Sequence, residues 1–248
     1  MTLPQVVTRD EWLVARKGLL AREKELTRRI DALNADRRRL PMVKVDKDYR
    51  FEGPDGQVGL RELFGDRRQL IIQHVMWLFE PDVGCPSCTA AIDELSDGLL
   101  EHLDARDTSF ALVSRGPFAS IERYRISRGW TVPWYSSYGS DFNYDYHVTL
   151  DEKVAPVEYN YRSGAEWEKA GRPLVEPGRS SEQPGMSCFL RADDGTIFHT
   201  YSAFARGVDH VGGAYAFLDM TALGRQEEWE EPKGRVAAAR DAVPDFAQ

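Results

Sequence analysis

Two cysteines three positions apart carry most of the chemistry that this sequence offers. Cys85 and Cys88 enclose Pro86 and Ser87, and this C-x-x-C spacing brings two sulfur atoms within reach of each other where a helix begins. Such a pair can exchange disulfides or supply part of a metal site, because thiolates act both as nucleophiles and as metal ligands. The chain has no second C-x-x-C or C-x-x-H, so the pattern favours redox chemistry over a structural metal site.

The flanking sequence puts this dithiol where a strand meets a helix. Leu70 to Phe79 is a nearly unbroken apolar run, which predicts a central parallel strand covered on both faces. After Cys85, apolar residues recur at spacings of three and four and predict a helix to about His102. Because a helix N-terminus stabilises a thiolate, we expect Cys85 to be the acidic, attacking cysteine and Cys88 to be the resolving one.

Further elements complete an α/β pattern. Ser109 to Ser114 predicts a second strand, and a strand–helix–strand unit of this kind makes the sheet at least partly parallel. Pro117 to Arg128 predicts a helix that has proline in its first turn. Met186 to Arg191 and Thr196 to Tyr201 flank a turn sequence and predict a β-hairpin, and Val208 to Leu223 predicts a closing helix.

A long, highly charged helix is predicted over residues 8 to 40. Thr8 and Glu11 have the spacing of a capping box at its start. A narrow apolar stripe follows, which is typical of a helix that packs on a partner helix or across its own domain. Because two-fold association is the commonest arrangement, we expect a homodimer that uses this stripe or the aromatic segment described next. The stripe comprises Trp12, Leu19, Leu26, Leu33 and Leu40.

An aromatic-rich insertion occupies about residues 130 to 185. Ten aromatic residues lie between Trp130 and Trp167, and such rings suit a pocket for an organic ligand, a small core or a dimer interface. Ligands of open α/β sheets gather beyond the carboxyl ends of the parallel strands, and the insertion could fold over that edge beside the dithiol. The candidate substrate-pocket residues are Trp134, Tyr138, Asp141, Asn143, Tyr144 and His199.

The histidines offer an alternative chemistry. His147 ends the aromatic stretch and His199 falls in the predicted hairpin, so either could be a proton shuttle or a ligand. If both met Cys85 and Cys88, sulfur and imidazole would suit copper. We therefore expect no cofactor, with a copper-type site at these four residues as the alternative. Cys188 lies in an apolar strand and is expected to be a buried, inert thiol.

Composition bounds the class of protein. The chain of 248 residues has 40 acidic and 32 basic side chains, and this net charge of −8 argues against nucleic-acid binding, which needs a cationic surface. The sequence shows no secretory pattern and no apolar run of the roughly 20 residues that a membrane helix needs. Three cysteines are too few for a secreted disulfide scaffold. We expect a cytoplasmic protein without a membrane or nucleic-acid partner.

The order of the elements resembles the thioredoxin-like fold, with the dithiol after the first central strand and a hairpin plus helix at the end. Three stretches are similar to a bacterial domain-of-unknown-function family of thioredoxin-like proteins: HVMWLFEPDVGCPSCTAAID, GWTVPWYSSYGSDFNYDY and FLRADDGTIFHTYSAFARG. The resemblance spans about residues 8 to 232, places the family's C-x-x-C at Cys85 and Cys88, and implies an α/β fold with a central mixed sheet flanked by helices. It carries no settled activity.

The predicted domains are a helical extension over residues 1–40, a thioredoxin-like domain over 41–224 and an acidic strap or tail over 225–248. The sequence departs from better-known relatives. Thioredoxins place a proline before the second cysteine and another facing the dithiol, whereas Pro86 here follows the first cysteine and Met186 or Ser187 would face it.

The combined interpretation is an oxidoreductase, either thiol–disulfide or peroxiredoxin-like. Cys85 would attack a peroxide, a disulfide or a small organic molecule, Cys88 would displace the product, and a cellular thiol reductant would reopen the resulting disulfide. The alternatives are a copper-type, metal-dependent oxidase or oxygenase on the same fold and a non-enzymatic redox or metal-binding module.

Overall fold

The computed structural model of the chain describes residues 3–176, 178–211, 213, 216, 218–223, 226–234 and 236–239. The chain divides into two compact units. One contains the described residues up to Pro41 together with those from 218 onward, and the other contains those from Met42 to Ala216. Among the described residues, no helix has both the length and the apolar character needed to cross a membrane.

The N-terminal unit contains one long helix, α1 (Arg9–Arg37), as the sequence predicts. The Thr8 hydroxyl accepts the backbone N–H of Glu11, and the Glu11 carboxylate accepts the backbone N–H of Thr8 at 2.9 Å. The predicted capping box is therefore confirmed, and it satisfies two backbone donors that a helix start otherwise leaves free. No residue of α1 is buried, so the apolar stripe, which repeats every seven residues, is exposed.

The second unit is built from many short elements. Its helices are α2 (Pro86–Asp93), α3 (Asp97–Asp104), α4 (Phe118–Arg128), α5 (Phe142–Asp145) and α6 (Gly164–Lys169), with 3-10 helices at Glu62–Phe64 and Ala205–Val211. Its strands are β1 (Val43–Lys44), β2 (Arg50–Gly53), β3 (Gly56–Gly59), β4 (Gln69–His74), β5 (Trp77–Leu78), β6 (Val83–Gly84), β7 (Thr108–Ser114), β8 (Trp134–Ser136), β9 (Thr149–Leu150), β10 (Glu158–Tyr159), β11 (Arg162–Ser163), β12 (Ser181–Glu182), β13 (Gly185–Arg191) and β14 (Ile197–Phe204).

The large sheet has the strand order β1-β14-β13-β4-β7-β8-β2-β3. Strand β4 is parallel to β7 and antiparallel to β13, and β13 forms a hairpin with β14. The central order β7-β4-β13-β14, with helices in the crossover from β4 to β7, is that of the thioredoxin-like fold. The predicted fold class, a mixed sheet flanked by helices, is therefore confirmed.

The alternation of β4 continues just past its end and directs side chains into two different cores. Leu70 and Ile72 lie in a core on one side of the sheet with Phe142. Val75, just beyond the strand, belongs to a second core that also contains Cys88. The dithiol is therefore built into a core that covers the second face of the sheet.

The structure departs from the predicted elements in three places. The predicted strand of residues 70–79 ends at His74, because the chain then turns into the hairpin of β5 and β6. The predicted helix after Cys85 is two helices, because the Ser96 hydroxyl accepts the N–H of Leu99 at 3.1 Å and starts α3. Within the predicted closing helix 208–223, the first residues lie in a 3-10 helix and several others lie outside the described residues.

The aromatic segment supplies core residues as well as surface. Its first part is β8, which pairs with β7 and β2 in the large sheet. Trp134, Phe142, Tyr146 and Tyr159 are buried, whereas Tyr138 is exposed. The density of rings that the sequence shows is therefore largely explained by packing.

Candidate redox site

The backbone places Cys85 at the junction between β6 and α2. Cys85 is the residue that precedes the first turn of α2, its N–H donates to the Met76 carbonyl at 3.0 Å, and its own carbonyl accepts the N–H of Thr89 at 2.9 Å. Pro86 occupies the first helical position, where its missing N–H leaves no hydrogen bond unmade. The Cys85 sulfur is therefore held where unpaired helix N–H groups point.

Helix α4 anchors the hairpin that leads to this cysteine. Asp82, at the hairpin turn, accepts hydrogen bonds from Trp77 Nε1 at 3.1 Å and from Ser120 Oγ at 2.7 Å, and it pairs with Arg123. The Ser120 hydrogen bond is the main reason that the pKa of Asp82 is lowered. Tyr124 of the same helix shares a 2.9 Å hydrogen bond with Thr89 of α2, so both sides of the dithiol are tied to α4.

Hydrogen bonds to the Cys85 sulfur favour its thiolate. The neighbouring Cys88 thiol contributes most, and the Ser87 hydroxyl lies 3.2 Å from the Cys85 sulfur. With the backbone N–H groups of Ser87 and Cys88, these contacts lower the pKa of Cys85 to about 5, although partial burial opposes them. Cys85 is thus ionised at neutral pH.

Cys88 has the opposite environment. Its side chain is buried, and it lies 4.4 Å from Cys85 as a free thiol. The neighbouring Cys85 thiolate, followed by burial, raises the pKa of Cys88 well above its ordinary value. The pair therefore holds one proton, which stays on Cys88.

The dithiol is packed among aromatic rings. Cys88 shares its core with Trp77 and Trp134, whose ring centroids lie 6.1 Å apart, and Cys85 packs against the same core. Tyr159 is close enough to Cys88 to interact with it electrostatically, and its hydroxyl donates to the Pro184 carbonyl at 2.8 Å. Burial raises the pKa of Tyr159 to about 12, so this hydroxyl remains protonated beside the dithiol.

Two of the other predicted pocket residues meet at a buried ion pair. Arg115 Nη1 donates to the Tyr144 hydroxyl at 2.8 Å, and Arg115 Nε lies 2.9 Å from Glu182 Oε1. Asn143 is buried, accepts a hydrogen bond from the Ser137 hydroxyl at 2.8 Å, and helps to lower the pKa of Glu182, which burial raises. The Arg115 guanidinium lies 5.2 Å over the ring of Phe79, in the loop that leads to the dithiol.

The remaining predicted pocket residues are found elsewhere. Tyr138 is exposed, and Asp141 forms an ion pair with Lys47 at 2.7 Å. His147 and His199 line a separate cavity whose wall includes neither cysteine. Within the described part of the chain, no group of three or more His, Cys, Asp or Glu side chains could hold a metal ion, so the residues of the copper alternative are not assembled into one site.

The third cysteine lies in the middle of β13. Cys188 is a free, half-buried thiol, and burial raises its pKa to about 11. A thiol with that pKa is a poor nucleophile at neutral pH. The predicted burial of Cys188 is therefore only partial, while its raised pKa agrees with the inert role predicted for it.

Several residues of the site were not identified from the sequence. Ser87 was named only as a member of the C-x-x-C, although its position at the start of a predicted helix is a signal that it could reach the first sulfur. Nothing in the sequence indicates that Met76 and Tyr124 belong to the site. Only the folding of the chain brings the Met76 carbonyl to Cys85 and the Tyr124 hydroxyl to Thr89 of α2.

A model of a bacterial protein family of unknown function, DUF899, matches residues 1–242. No curated protein matches the chain.

Solved structures that resemble the chain include peroxiredoxins. Peroxiredoxin Q of Xanthomonas campestris is 17% identical, with 69% of this chain and 91% of that chain covered and a TM-score of 0.43. PrxQ of Xylella fastidiosa is 10% identical, with coverage of 68% and 91% and a TM-score of 0.41. Peroxidoxin BcpB of Mycobacterium tuberculosis is 13% identical, with coverage of 68% and 92% and a TM-score of 0.39. Likeness at this level says nothing about the reaction.

Proposed function

The chain belongs to the bacterial protein family of unknown function DUF899, and we propose that it is a dithiol oxidoreductase that cycles Cys85 and Cys88 between two thiols and one intramolecular disulfide. The observation that carries the proposal is the pairing of an acidified, half-buried Cys85 with a protonated, buried Cys88 at the start of α2. Attack by a thiolate is the first step of disulfide exchange and of peroxide reduction.

The proposed reaction has two steps. With a disulfide substrate, the Cys85 thiolate bonds to one sulfur, the S–S bond breaks, and the other half leaves as a thiolate. With a peroxide, the same thiolate bonds to one oxygen, the O–O bond breaks, the other oxygen takes up a proton and leaves as water or an alcohol, and Cys85 becomes a sulfenic acid. Cys88 then loses its proton, bonds to the Cys85 sulfur and expels a thiol or water. A cellular thiol reductant returns both cysteines to the reduced state.

The electrostatics of the pair set the order of these steps. While Cys85 is a thiolate, its negative charge beside Cys88 keeps the proton on Cys88. Once Cys85 has reacted, its negative charge is gone, and the pKa of Cys88 falls because that stabilisation of its proton is lost. Cys88 therefore becomes a nucleophile only after Cys85 has bound the substrate.

The decisive experiment oxidises the reduced, full-length protein with one equivalent of hydrogen peroxide or of oxidised glutathione and identifies the product by mass spectrometry. The proposal expects a Cys85–Cys88 disulfide, and Cys85→Ser should abolish the reaction. Cys88→Ser should trap Cys85 as a mixed disulfide or sulfenic acid. The relative rate with the two oxidants identifies the substrate class.

Cys188→Ser is the matched control because it removes a thiol outside the dithiol. It should react like the unaltered protein. Full reactivity of Cys85→Ser, or a disulfide that includes Cys188, would contradict the proposal.

A further inference from the structure

The unit that carries the dithiol also contains a cavity that the proposed redox chemistry does not use. Its volume is about 340 Å³, at the lower end of the range typical of small-molecule sites. It lies between the segment that contains β1 and the strand β14, and α5 and β10 contribute to its wall.

Aromatic rings form much of this wall. Tyr49, Tyr146, Tyr161 and Phe204 line the cavity, and the Tyr161 and Phe204 ring centroids lie 5.7 Å apart in an edge-to-face arrangement. Aromatic faces carry partial negative charge and attract cations. The wall therefore favours a ligand that is both apolar and positively charged.

The charged side chains that line the cavity also favour a cation over an anion. Two lysines line it, against the three carboxylates of Asp46, Asp145 and Glu158. Lys44 lies 2.5 Å from Asp46, so its charge is compensated within the wall. An anionic ligand would have to compete with that carboxylate for the lysine.

The charge of the second lysine, Lys47, is balanced by two carboxylates. Lys47 lies 2.7 Å from Asp141 and 2.8 Å from Asp145, and the Tyr49 hydroxyl also donates to Asp145 at 2.7 Å. These two carboxylates raise the pKa of Lys47 and exceed its charge. This end of the cavity is therefore anionic overall.

Glu158 is the lining carboxylate that remains available. Within the described residues it forms no ion pair, and it lies on β10 directly before the segment that supplies Tyr161. A carboxylate beside aromatic faces is the arrangement that recognises an ammonium group.

We propose that this cavity binds a small organic cation, namely a protonated amine that carries an apolar or aromatic group. The ammonium group lies against Glu158 and the face of Tyr161, and the apolar part lies against Tyr146 and Phe204. The site is independent of the proposed dithiol chemistry, so its test does not depend on redox activity.

The test compares three probes that share one ring and differ in charge: 2-phenylethylammonium, 2-phenylethanol and 3-phenylpropionate. Binding to the full-length, ¹⁵N-labelled protein is followed by NMR titration. The cation should bind with a dissociation constant of about 1 mM or lower and shift the signals of residues that line the cavity. The alcohol should bind about tenfold more weakly, because it makes neither the ion pair nor the cation–aromatic contact.

Two variants and one control locate the contacts. Glu158→Gln should weaken binding of the cation by about threefold and leave binding of the alcohol unchanged, since the carboxylate is exposed and its attraction is screened. Tyr161→Leu keeps an apolar side chain but removes the ring, so it should also weaken only the cation. Glu152→Gln removes an exposed carboxylate outside the cavity and should change nothing.

Three results would each overturn the proposal. One is equal or tighter binding of the propionate or the alcohol. Another is signal shifts confined to residues outside the cavity, or no shifts up to about 10-fold above the expected dissociation constant. The third is an equal loss of cation binding in Glu158→Gln and Glu152→Gln. That result would show that the cation is attracted only by the net charge of the protein.

Discussion

The hydroxyl oxygens of Ser187 and Ser202 lie 2.8 Å apart across β13 and β14 and join two histidine rings. His74 Nε2 lies 2.8 Å from the Ser187 hydroxyl, and His199 Nε2 lies 2.8 Å from the Ser202 hydroxyl. The four side chains therefore form one continuous hydrogen-bonded chain, His74–Ser187–Ser202–His199, that crosses from β4 through β13 to β14.

The first prediction tests this chain. Ser187→Ala should leave Nε2 of the buried His74 without its hydrogen-bond partner and lower the free energy of unfolding by about 1–3 kcal/mol. Urea unfolding of the full chain, followed by tryptophan fluorescence, measures the change. Ser127→Ala, at an exposed serine on α4, should change the free energy by less than about 0.5 kcal/mol. Equal losses in the two variants would show that the hydrogen bond between Ser187 and His74 does not support the fold.

The second prediction concerns pH. Burial lowers the pKa of His74 to about 3, whereas an unfolded histidine titrates near 6.5. Between these values the unfolded chain binds a proton that the folded chain excludes, so stability should fall as pH falls from about 6.5 toward 3, by up to about 1.4 kcal/mol per pH unit from this group. His74→Gln should remove that contribution to the slope. His102→Gln, which removes an exposed histidine on α3, should retain it.

The third prediction concerns the acidity of the attacking cysteine. Ser87→Ala removes a hydroxyl that lies 3.2 Å from the Cys85 sulfur, so the pKa of Cys85 should rise from about 5 by about one unit. The pH dependence of iodoacetamide alkylation, resolved by peptide mass spectrometry, reports this midpoint. Ser127→Ala removes an exposed hydroxyl near the end of α4 and serves as the control. An unshifted midpoint in Ser87→Ala would exclude Ser87 from the stabilisation of the thiolate.

The fourth prediction concerns the ion pair beneath the aromatic segment. Glu182→Gln should lower the free energy of unfolding by about 3 kcal/mol, because Arg115 is mostly buried and would keep an unpaired charge. Tyr144→Phe should cost about 1 kcal/mol, since it removes only one acceptor from that guanidinium. Glu25→Gln breaks an exposed pair on α1 and should have little effect. A similar loss in all three variants would show that the pair is not a specific support.

The fifth prediction concerns assembly. The exposed apolar stripe of α1 should pack against the same helix of a second copy, because leucines that repeat every seven residues line one face of a helix and form a coiled-coil interface. Light scattering at micromolar concentration should give twice the chain mass. Leu26→Lys, within the stripe, should give the mass of a single chain. Ala21→Lys, on another face of α1, should still give twice the chain mass. A single-chain mass for the unaltered protein would refute this prediction.

Local features of the sequence predicted much of the fold. The capping box of Thr8 and Glu11, the strand 108–114, the helix that ends at Arg128 and the hairpin of β13 and β14 all depend on neighbours in the chain. Their periodicity is therefore visible in the sequence itself. The position of the dithiol is also a local feature, because the predicted strand before it and the predicted helix after it place Cys85 at a helix N-terminus.

The break between α2 and α3 shows where local reasoning was incomplete. The apolar spacing from Ile92 to Leu103 fits one helix, but the Ser96 hydroxyl caps a new one. The signal was present, and the periodicity masked it.

Only the tertiary structure decided what surrounds the chemically active side chains. Asp141 and Asn143 are two positions apart, yet the first pairs with Lys47 and the second reaches Glu182. No sequence pattern contains those partners, because they come from segments about 40 to 95 positions away in the chain. Sequence alone therefore identified plausible polar groups without assigning them to one pocket.

The histidine–serine chain depends on a single irregularity between strands. A β-bulge follows Cys188, so Ser202 lies opposite Ser187 while His199 lies opposite Phe189. Residues three apart on a regular strand point to opposite faces, but the extra residue returns both side chains to one face. The sequence determined the two strands and their turn, and the register of their pairing, which depends on the packing of both faces, decided that the two histidines are connected.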